Sequence, residues 1–318
     1  MFLQFYGIRG SIPTPMLTDE YQEKLREVLT LANANDIATP ESIDDFISTL
    51  PFYLKNSYGG NTPCVYLNID GTHVILDMGS GFRVLGLDLL TKAFGKNSDE
   101  LHIFVSHTHW DHIQGLPFFI PAFLEGNTLN IYSSASRMQS RLETQQYSQF
   151  FPVALSEMGA KKRYFQLETK KLYQIANFTV SSLLLSHPNH CYAYRFEKDG
   201  KTVVYATDTE FHEQNLEFLK GCIDFFKDAD VLICDSQYTY KEACCEKLHY
   251  GHSAANSGID IAIKSKVKQL VFFHFEPTYR DKKLHDLYTG DMVEYRNTVS
   301  RSVALEVTAA YEGLKIDL

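Results

Sequence analysis

The sequence predicts an α/β protein in which stacked β-sheets are covered by helices, and three observations support this. Strand-like and helix-like segments alternate from end to end, which is typical of layered α/β folds. The strand-like segments mix alternating and continuous apolar residues, as expected for sheets that face both a core and covering helices. Of the 318 residues, 44% are hydrophobic and 22% are charged, so the chain can bury a sizeable core. The predicted strands are 64–69, 73–77, 101–105, 179–185, 202–206, 231–234 and 269–273.

Helical periodicity is clear in three segments. The first two, near the N-terminus, place apolar residues three and four positions apart, on one face of a helix. These faces comprise Tyr21, Leu25, Val28 and Leu29 in the first segment and Ile43, Phe46, Ile47 and Leu50 in the second. The third segment, 254–263, leads into the strand at 269–273.

Residues 15–57 differ from their surroundings, because they carry two helical patterns between two glycine-containing turns, 7–10 and 58–62. We expect one domain over 1–318, with a helical insertion at about 15–57 over one edge of the core. Such an insertion can serve as a lid, as a contact in a homodimer or as scaffold decoration.

The composition argues against several classes of protein. A net charge of −9 repels nucleic acid unless a local basic groove overrides it, so a nucleic-acid partner is disfavoured although not ruled out. Because no run of about 18 apolar residues occurs, a membrane span is not expected, and the N-terminus lacks the features of a secretion signal. The six cysteines lack the spacing of a disulfide framework, which predicts reduced thiols and a cytoplasmic protein.

The most informative stretch is 107–112, which reads His-Thr-His-Trp-Asp-His directly after the apolar run 103–105. Imidazole and carboxylate are the usual ligands of zinc and similar divalent ions. Burying several polar rings without partners would cost about 1–3 kcal/mol each, so packing alone does not explain the motif. A strand that ends in a tight loop can direct these side chains to one point. The motif therefore predicts a metal site, for two ions.

Three further ligand-type residues stand at the ends of later predicted strands. His187 follows 183–185, Asp208 follows 202–206 and His274 follows 269–273. Side chains at strand ends can converge at one rim of a sheet, so we expect these three residues to complete the metal site.

With these motifs the chain resembles the metallo-β-lactamase superfamily, and within it the binuclear phosphodiesterase branch. That branch includes tRNase Z, the PhnP-type phosphodiesterases and cyclic-nucleotide phosphodiesterase relatives. The resemblance implies a four-layer αββα sandwich with metal sites along one edge of the facing sheets. The residues that carry it are Asp77 in Leu-Asp-Met-Gly-Ser-Gly, the 107–112 cluster, His187 in Ser-His-Pro, Asp208 in Thr-Asp-Thr-Glu and His274 in Phe-His-Phe-Glu-Pro.

The resemblance also implies roles for these residues. One ion would be held by His107, His109 and His187, and the other by Asp111, His112 and His274, with Asp208 as the bridge between them. Asp111 would orient a hydroxide shared by the two ions, and Asp77 would orient a ligand histidine. Zinc is the first choice for the ions, with manganese or iron as alternatives.

Two features indicate the substrate class. The superfamily's β-lactamases have a cysteine where this chain has Asp208, which disfavours a lactam. The segment 251–255, Gly-His-Ser-Ala-Ala, resembles a segment of the tRNase Z branch whose histidine contacts the scissile phosphate. His252 would then donate a proton to the departing alkoxide. The favoured function is a metal-dependent phosphodiesterase acting on a small phosphodiester, for example a cyclic nucleotide.

Three alternatives stay open at this point. The first is an RNA endonuclease of the tRNase Z kind, which the net charge disfavours. The second is a thioesterase of the glyoxalase II type, although no C-terminal helical domain for glutathione is recognisable. The third is a scaffold that binds metal without turnover.

Other residues near the motifs are candidates for supporting roles. Arg195 can pair with a phosphate oxygen or with an internal carboxylate, and His190 is a second candidate for substrate contact. Asp235, at the end of 231–234, is a candidate for orienting a residue of the site. Trp110, inside the ligand motif, can stack on a base or pack into the core.

Overall fold

A computed structural model describes residues 1–92, 99–211, 215–299 and 304–318. Its strands run in chain order as follows: β1 Phe2–Gly7, β2 Cys64–Ile69, β3 Thr72–Leu76, β4 Glu100–Phe104, β5 Thr128–Ser133, β6 Lys161–Gln166, β7 Tyr173–Ile175, β8 Phe178–Leu185, β9 Cys191–Lys198, β10 Lys201–Ala206, β11 Val231–Asp235, β12 Gln269–Phe273, β13 Glu306–Ala309 and β14 Lys315–Asp317.

The helices, again in chain order, are α1 Thr18–Leu31, α2 Pro40–Thr49, α3 Phe52–Lys55, α4 Gly81–Thr91, α5 Trp110–Ile113, α6 Met138–Gln145, α7 Leu216–Phe226, α8 Ala255–Lys264, α9 Asp281–His285 and α10 Met292–Val299. Within the described ranges, none of them combines the length and the apolar character that crossing a lipid bilayer requires.

The strands form two mixed sheets of seven. The first has the order β14-β1-β2-β3-β4-β5-β6, and the second has the order β13-β12-β11-β10-β9-β8-β7. Aromatic side chains join the two sheets across the core: the Phe104 ring centroid lies 4.9 Å from that of Phe196, and the Phe5 centroid lies 6.0 Å from that of Phe273. The sheets therefore pack face to face.

Helices cover the outer face of each sheet. Phe82 and Leu85 of α4 are buried in one apolar cluster with Ile103 of the first sheet. On the other side, Ile259 of α8 is buried in the same cluster as Leu270 of β12. The result is the four-layer αββα sandwich that the sequence predicted, and the fold prediction is confirmed.

The register of the sheets explains where the site lies. Strands β3 to β6 run parallel to one another, and so do β10 to β13. Because β9 is antiparallel to both β8 and β10, β8 also runs in the direction of β10. The carboxyl ends of parallel strands meet at one edge of a sheet, so the residues that follow β3, β4, β8, β10, β11 and β12 share an edge of the sandwich.

Three helices, α1 to α3, lie between β1 and β2 in the sequence, and α1 and α3 contact α9. In α1 the buried residue is the charged Glu20, whose Oε1 accepts a hydrogen bond from the backbone nitrogen of Asp281 at 2.9 Å. Lys24 Nζ lies 2.5 Å from Asp281 Oδ2. By contrast, Tyr21 and Leu29 of the predicted apolar face are 55% and 70% exposed. Polar contacts therefore attach α1 to the core together with Val28, which packs against it, while Tyr21 and Leu29 point outward.

Candidate active site

The ligand-type residues of the sequence analysis come together at the strand-end edge. One group contains His107, His109, His187 and Asp208, and a second contains Asp111, His112, His274 and Asp208. Within each group the nearest ring nitrogens and carboxylate oxygens all lie within 4.8 Å of one another. Asp208 belongs to both groups, as a bridging ligand would.

The backbone around the motif explains how six residues supply four of these side chains. Strand β4 stops at Phe104, and Val105 N still donates a hydrogen bond to Tyr132 O of β5, which continues the sheet by one residue. His109 precedes the first turn of α5 in an extended conformation, and its carbonyl accepts a hydrogen bond from His112 N at 3.1 Å. The strand thus passes straight into a short helix, and the ligands lie on both sides of the junction.

Several strand-end residues hold an unusual backbone conformation. Asp77 after β3, Asp208 after β10 and His274 after β12 have φ values of 60°, 49° and 64°. The left-handed region is uncommon for residues other than glycine, although aspartate and histidine are among those that adopt it more often. The sharp change of direction turns these side chains from the strands into the shared edge.

The first group has the spacing of a metal site. His187 Nε2 lies 3.1 Å from His109 Nδ1, and Asp208 Oδ2 lies 3.4 Å from His107 Nε2 and 3.7 Å from His187 Nε2. In a tetrahedral site with bonds of about 2.0–2.1 Å, ligand atoms are about 3.3 Å apart. His107 Nε2 is buried and has no hydrogen-bond partner among the described residues. A divalent cation would satisfy this nitrogen.

The second group has the same spacing. Asp111 Oδ2 lies 3.1 Å from His274 Nε2 and 3.3 Å from His112 Nε2. The two histidine Nε2 atoms are 3.2 Å apart, and each lies 3.3 Å from an oxygen of Asp208. Histidine nitrogens and carboxylate oxygens are the donor set that zinc, manganese and iron accept. The residues present therefore fit metal binding.

Most of the ligand imidazoles are fixed through their other ring nitrogen. His112 Nδ1 lies 2.8 Å from Asp77 Oδ2, His187 Nδ1 lies 2.9 Å from Gly251 O, and His274 Nδ1 lies 3.0 Å from Gln237 Oε1. Such contacts set the tautomer and direct the free nitrogen toward the metal. These contacts hold three of the ligand-type rings in defined orientations.

Asp77 also anchors its own surroundings. Its carboxylate is completely buried and accepts hydrogen bonds from Ser106 N, Ser106 Oγ and Tyr205 OH at 2.7, 2.7 and 2.8 Å. Together with the contact to His112, this places Asp77 behind the ligand-type cluster and outside both groups of potential metal ligands.

Burial sets the protonation of the first group. Removal from water lowers the pKa of His107 well below its usual value, and the nearby His112 adds to the effect. Burial likewise lowers the pKa of His109 and His187. These three rings are therefore neutral near pH 7 and present the lone pair that a metal needs.

The carboxylates of Asp208 and Asp111 are held in their charged form by the imidazoles around them. Burial alone would favour the neutral form of Asp208, but the neighbouring imidazoles, His112 first among them, favour its charged form and hold the Asp208 pKa well below its usual value. The same balance, led by His112, lowers the pKa of Asp111. Both carboxylates are thus ionised and available as ligands.

His252 lies beside the metal-ligand cluster and is held by a buried carboxylate. Its Nδ1 is 2.7 Å from Asp235 Oδ2, and its ring stacks on that of His274 with centroids 4.9 Å apart. Although burial disfavours its charged form, the negative charge of Asp235 outweighs burial and raises the pKa of His252. With Nδ1 occupied, Nε2 is the nitrogen left to meet a bound molecule.

An opening of about 420 Å³ leads to this cluster. Its lining consists of Ser11, Thr108, His109, Trp110, Asp111, Asp208, His252 and His274. The metal-ligand groups therefore face a cavity and are not sealed in the core.

Gly251 allows the backbone to approach His187. Its φ is +87°, and a Cβ at this position would lie inside contact distance of His187 Nδ1. Gly71 offers a matched control, since its φ is +88° and a Cβ there would meet nothing within 4 Å. We expect both alanine variants to lose on the order of 1 kcal/mol of folding stability, because alanine is strained at positive φ.

We expect Gly251→Ala alone to weaken zinc binding, by about tenfold or more, since it displaces a group that orients a ligand. Chelator competition measures zinc affinity, and thermal unfolding measures stability. Equal zinc affinity in the Gly251→Ala and Gly71→Ala variants would show that this approach does not position His187.

Arg195 and His190, the two predicted substrate contacts, lie outside the lining of the opening. The Arg195 guanidinium donates to Glu197 Oε1 at 2.9 Å and to the carbonyl oxygens of Phe225 and Lys227 at 3.0 Å, on the outer face of β9 near α7. Of the two alternatives left open for Arg195, the structure shows pairing with a carboxylate, that of Glu197, and it places the guanidinium outside the lining of the opening. His190 is exposed, and it is not among the residues that line the opening.

Sequence reasoning missed several residues that support the site. Ser11 N donates to Asp111 Oδ2 at 2.8 Å, and Gln237 holds His274 as described above. Arg141 of α6 donates from Nη1 to Thr108 Oγ1 at 3.0 Å, which brings a guanidinium to the rim of the opening. These residues are distant from the motifs in sequence, and no local pattern marks them.

The family comparison agrees with this geometry. Residues 72–275 match the family model described as the β-lactamase superfamily domain. A four-layer sandwich with a histidine and aspartate cluster on its strand-end edge defines a hydrolase of the metallo-β-lactamase fold. This chain belongs to the β-lactamase superfamily, and the resemblance identified from the motifs is confirmed.

Individual relatives and structures agree with this assignment. The chain is 27% identical over 276 residues to a protein named ribonuclease Z from Picrophilus torridus, covering 71% of this chain and 84% of the relative. Among solved structures, it resembles the short form of human tRNase Z, with a TM-score of 0.60 and 19% identity over 100% of this chain and 99% of the other. It also resembles a diphosphatase of the PhnP family, with a TM-score of 0.61 and 17% identity over 100% and 97% of the two chains. These structures share its fold.

Proposed function

We propose that this protein is a metal-dependent phosphodiesterase that uses two divalent ions, zinc in the first instance. The observation that carries the proposal is the position of His252: a histidine held by Asp235 lies beside two metal-ligand groups that share Asp208. Hydrolysis of a phosphodiester needs an activated water and a proton donor for the departing alkoxide. The two metal-ligand groups and His252 supply one each.

Bound ions would lower the pKa of a water and offset the negative charge of the phosphate oxygens. The residues of the chain do the rest. Asp111, fixed by the Ser11 backbone N–H at 2.8 Å, orients the attacking water. As the new P–O bond forms and the ester P–O bond breaks, His252 gives a proton to the leaving oxygen. Asp235 stabilises the positive charge on His252 before the transfer and holds the ring in place afterwards.

The proposed substrate is a small phosphodiester such as a cyclic nucleotide. The opening of about 420 Å³ is within the usual size of small-molecule sites. A net charge of −9 also favours a small substrate over a long polyanion, because a long chain of phosphates would meet the acidic surface beyond the site.

A second candidate is an RNA endonuclease. The observation that favours it is the set of curated relatives named ribonuclease Z, of which the Picrophilus torridus protein is 27% identical. The site described above serves either substrate, since the bond broken is the same. The two candidates differ in what lies beyond the site, because only an endonuclease needs a further surface that binds RNA.

The test is a substrate panel on zinc-loaded protein. It contains bis-p-nitrophenyl phosphate, cyclic nucleotides, a precursor tRNA, a glutathione thioester and nitrocefin. We expect turnover of the first two substrates, and we expect the tRNA to bind weakly, with an affinity that falls steeply as salt is added. Specific cleavage of the precursor tRNA at its 3′ side, with no turnover of cyclic nucleotides, would favour the endonuclease. Hydrolysis of the thioester or nitrocefin alone would overturn the phosphodiesterase proposal.

A further inference from the structure

Trp110 is the one tryptophan of the chain, and it stands between the ligand residues His109 and Asp111. Its side chain is 83% exposed, the largest value among the exposed large hydrophobic side chains of the described residues. An indole is a large apolar surface, and leaving it in water contributes nothing to folding. The core-packing role that the sequence left open is therefore excluded by the structure, and the exposure needs another explanation.

The backbone of Trp110 is fixed even though its side chain is free. It is the first residue of α5, and its carbonyl accepts a hydrogen bond from Gln114 N at 2.8 Å. Its neighbour Asp111 is tied to Ser11 N, and α6 is attached to the end of α5 through the bond from Gln145 Nε2 to Ile113 O at 2.9 Å. The indole is thus displayed from a rigid point beside the metal-ligand groups.

Among the described residues, Trp110 is also the single apolar side chain in the lining of the opening. The other lining residues are polar or charged: Ser11, Thr108, His109, Asp111, Asp208, His252 and His274. Those groups suit a phosphate and its leaving oxygen. The flat indole face, by contrast, suits a planar ring, because stacked aromatic rings gain both dispersion and apolar burial.

We infer that Trp110 determines specificity by stacking on an aromatic ring close to the scissile phosphate, so that the substrate is a phosphodiester carrying a nucleobase. This inference rests on the proposed function and narrows its substrate. Stacking is tolerant of base identity, since every base has a π face. The site should therefore separate nucleosides from sugars and polyols more strongly than it separates one base from another.

Fluorescence tests the inference without catalysis, since all tryptophan emission comes from Trp110. The probes are adenosine 5′-monophosphate and ribose 5-phosphate, which share a phosphate and a ribose and differ in the base. We expect adenosine 5′-monophosphate to quench the emission at concentrations at least about tenfold lower than ribose 5-phosphate does, because a base stack contributes an effect of this size. Equal quenching by both probes would overturn the inference.

Two variants extend the test to turnover. We expect Trp110→Ala to raise KM for a cyclic nucleotide about tenfold or more with kcat little changed, and Trp110→Phe to restore most of the loss. Neither variant should change the unfolding temperature, because the side chain is exposed. Hydrolysis of a phosphodiester without an aromatic ring, such as a glycerophosphodiester, should fall much less in Trp110→Ala than hydrolysis of the cyclic nucleotide does.

The outcomes separate this inference from the proposed function. If the wild-type protein hydrolyses phosphodiesters and Trp110→Ala leaves KM for cyclic nucleotides unchanged, the function stands and the role of Trp110 is wrong. If no phosphodiester is hydrolysed and the nucleotide still quenches Trp110 selectively, the stacking site stands and the proposed reaction is wrong.

Discussion

Replacing Asp208 by Asn should abolish most of the activity and lower the bound metal from the proposed two equivalents to one or none. Asp208 lies within 3.3–3.7 Å of ligand nitrogens from both groups, so the loss of its charge weakens both. A metal centre contributes several kcal/mol of stabilisation to the transition state. We therefore expect kcat/KM for a phosphodiester to fall by about 10³-fold or more, as measured with metal content determined on the same samples.

Asparagine is the suitable replacement because it keeps the size of the side chain and tolerates the φ of 49° at this position. Asp228→Asn is the matched control, since Asp228 is also an aspartate at positive φ, 54°, but it is exposed and lies outside both metal-ligand groups. It should retain wild-type activity and metal content. An Asp208→Asn protein with wild-type metal content and turnover would show that Asp208 does not bridge the two groups.

The second large effect is expected from His252→Ala. Removal of a general acid typically lowers the rate by about 10²–10⁴-fold. The loss should fall on kcat for substrates with a poor leaving group, such as a cyclic nucleotide. It should be much smaller for bis-p-nitrophenyl phosphate, whose leaving group needs no proton. Metal content should stay near the wild-type value, because His252 belongs to neither of the two groups that would hold the proposed ions.

The pairing of His252 with Asp235 makes a sharper test possible. If Asp235 acts through His252, Asp235→Asn should lower kcat by about 10- to 100-fold alone and add little to His252→Ala in the double variant. Additive losses would mean that Asp235 has a separate role. A His252→Ala loss of equal size for both leaving groups would mean that His252 does not donate the proton.

Much of the fold was predictable because the strands that carry the site are strongly apolar. The predicted segments 64–69 and 269–273 coincide with β2 and β12, and the other five differ by one residue at one or both ends. The strands that were not predicted comprise the edge strands β6, β7, β13 and β14 and the interior strands β1, β5 and β9, which mix polar with apolar residues. β6, Lys161–Gln166, is half exposed, and β14, Lys315–Asp317, is three residues long, so neither shows an apolar period.

The first helix shows where the apolar pattern misleads. The spacing of Tyr21, Leu25 and Leu29 correctly predicts a helix, but tertiary contacts decide which side is buried. Here the buried partner is Asp281, which attracts Glu20 through its backbone N–H and Lys24 through its carboxylate. A buried charge network of this kind depends on residues more than 250 positions away, and one sequence cannot reveal it.

At the site, the ligand-type residues were predictable because each directly follows an apolar strand or lies in the 107–112 motif. Arg195 was misplaced because proximity in sequence to His187 was taken as proximity in space. Successive side chains of a strand point to opposite faces. Tyr194 and Phe196 face Phe104 in the core, so Arg195 between them must face outward, toward α7.

The left-handed conformations of Asp77, Asp208 and His274 place backbone strain at three residues on which the proposed chemistry depends. Glycine at any of these three points would relax the chain, since it adopts positive φ at no steric cost. Each such exchange would also delete a group on which the proposed chemistry depends. Glycine at position 77 would in addition leave Ser106 and Tyr205 without the acceptor of their hydrogen bonds. Attempts to raise the thermal stability of this enzyme should therefore keep these three residues and change the outer helices instead.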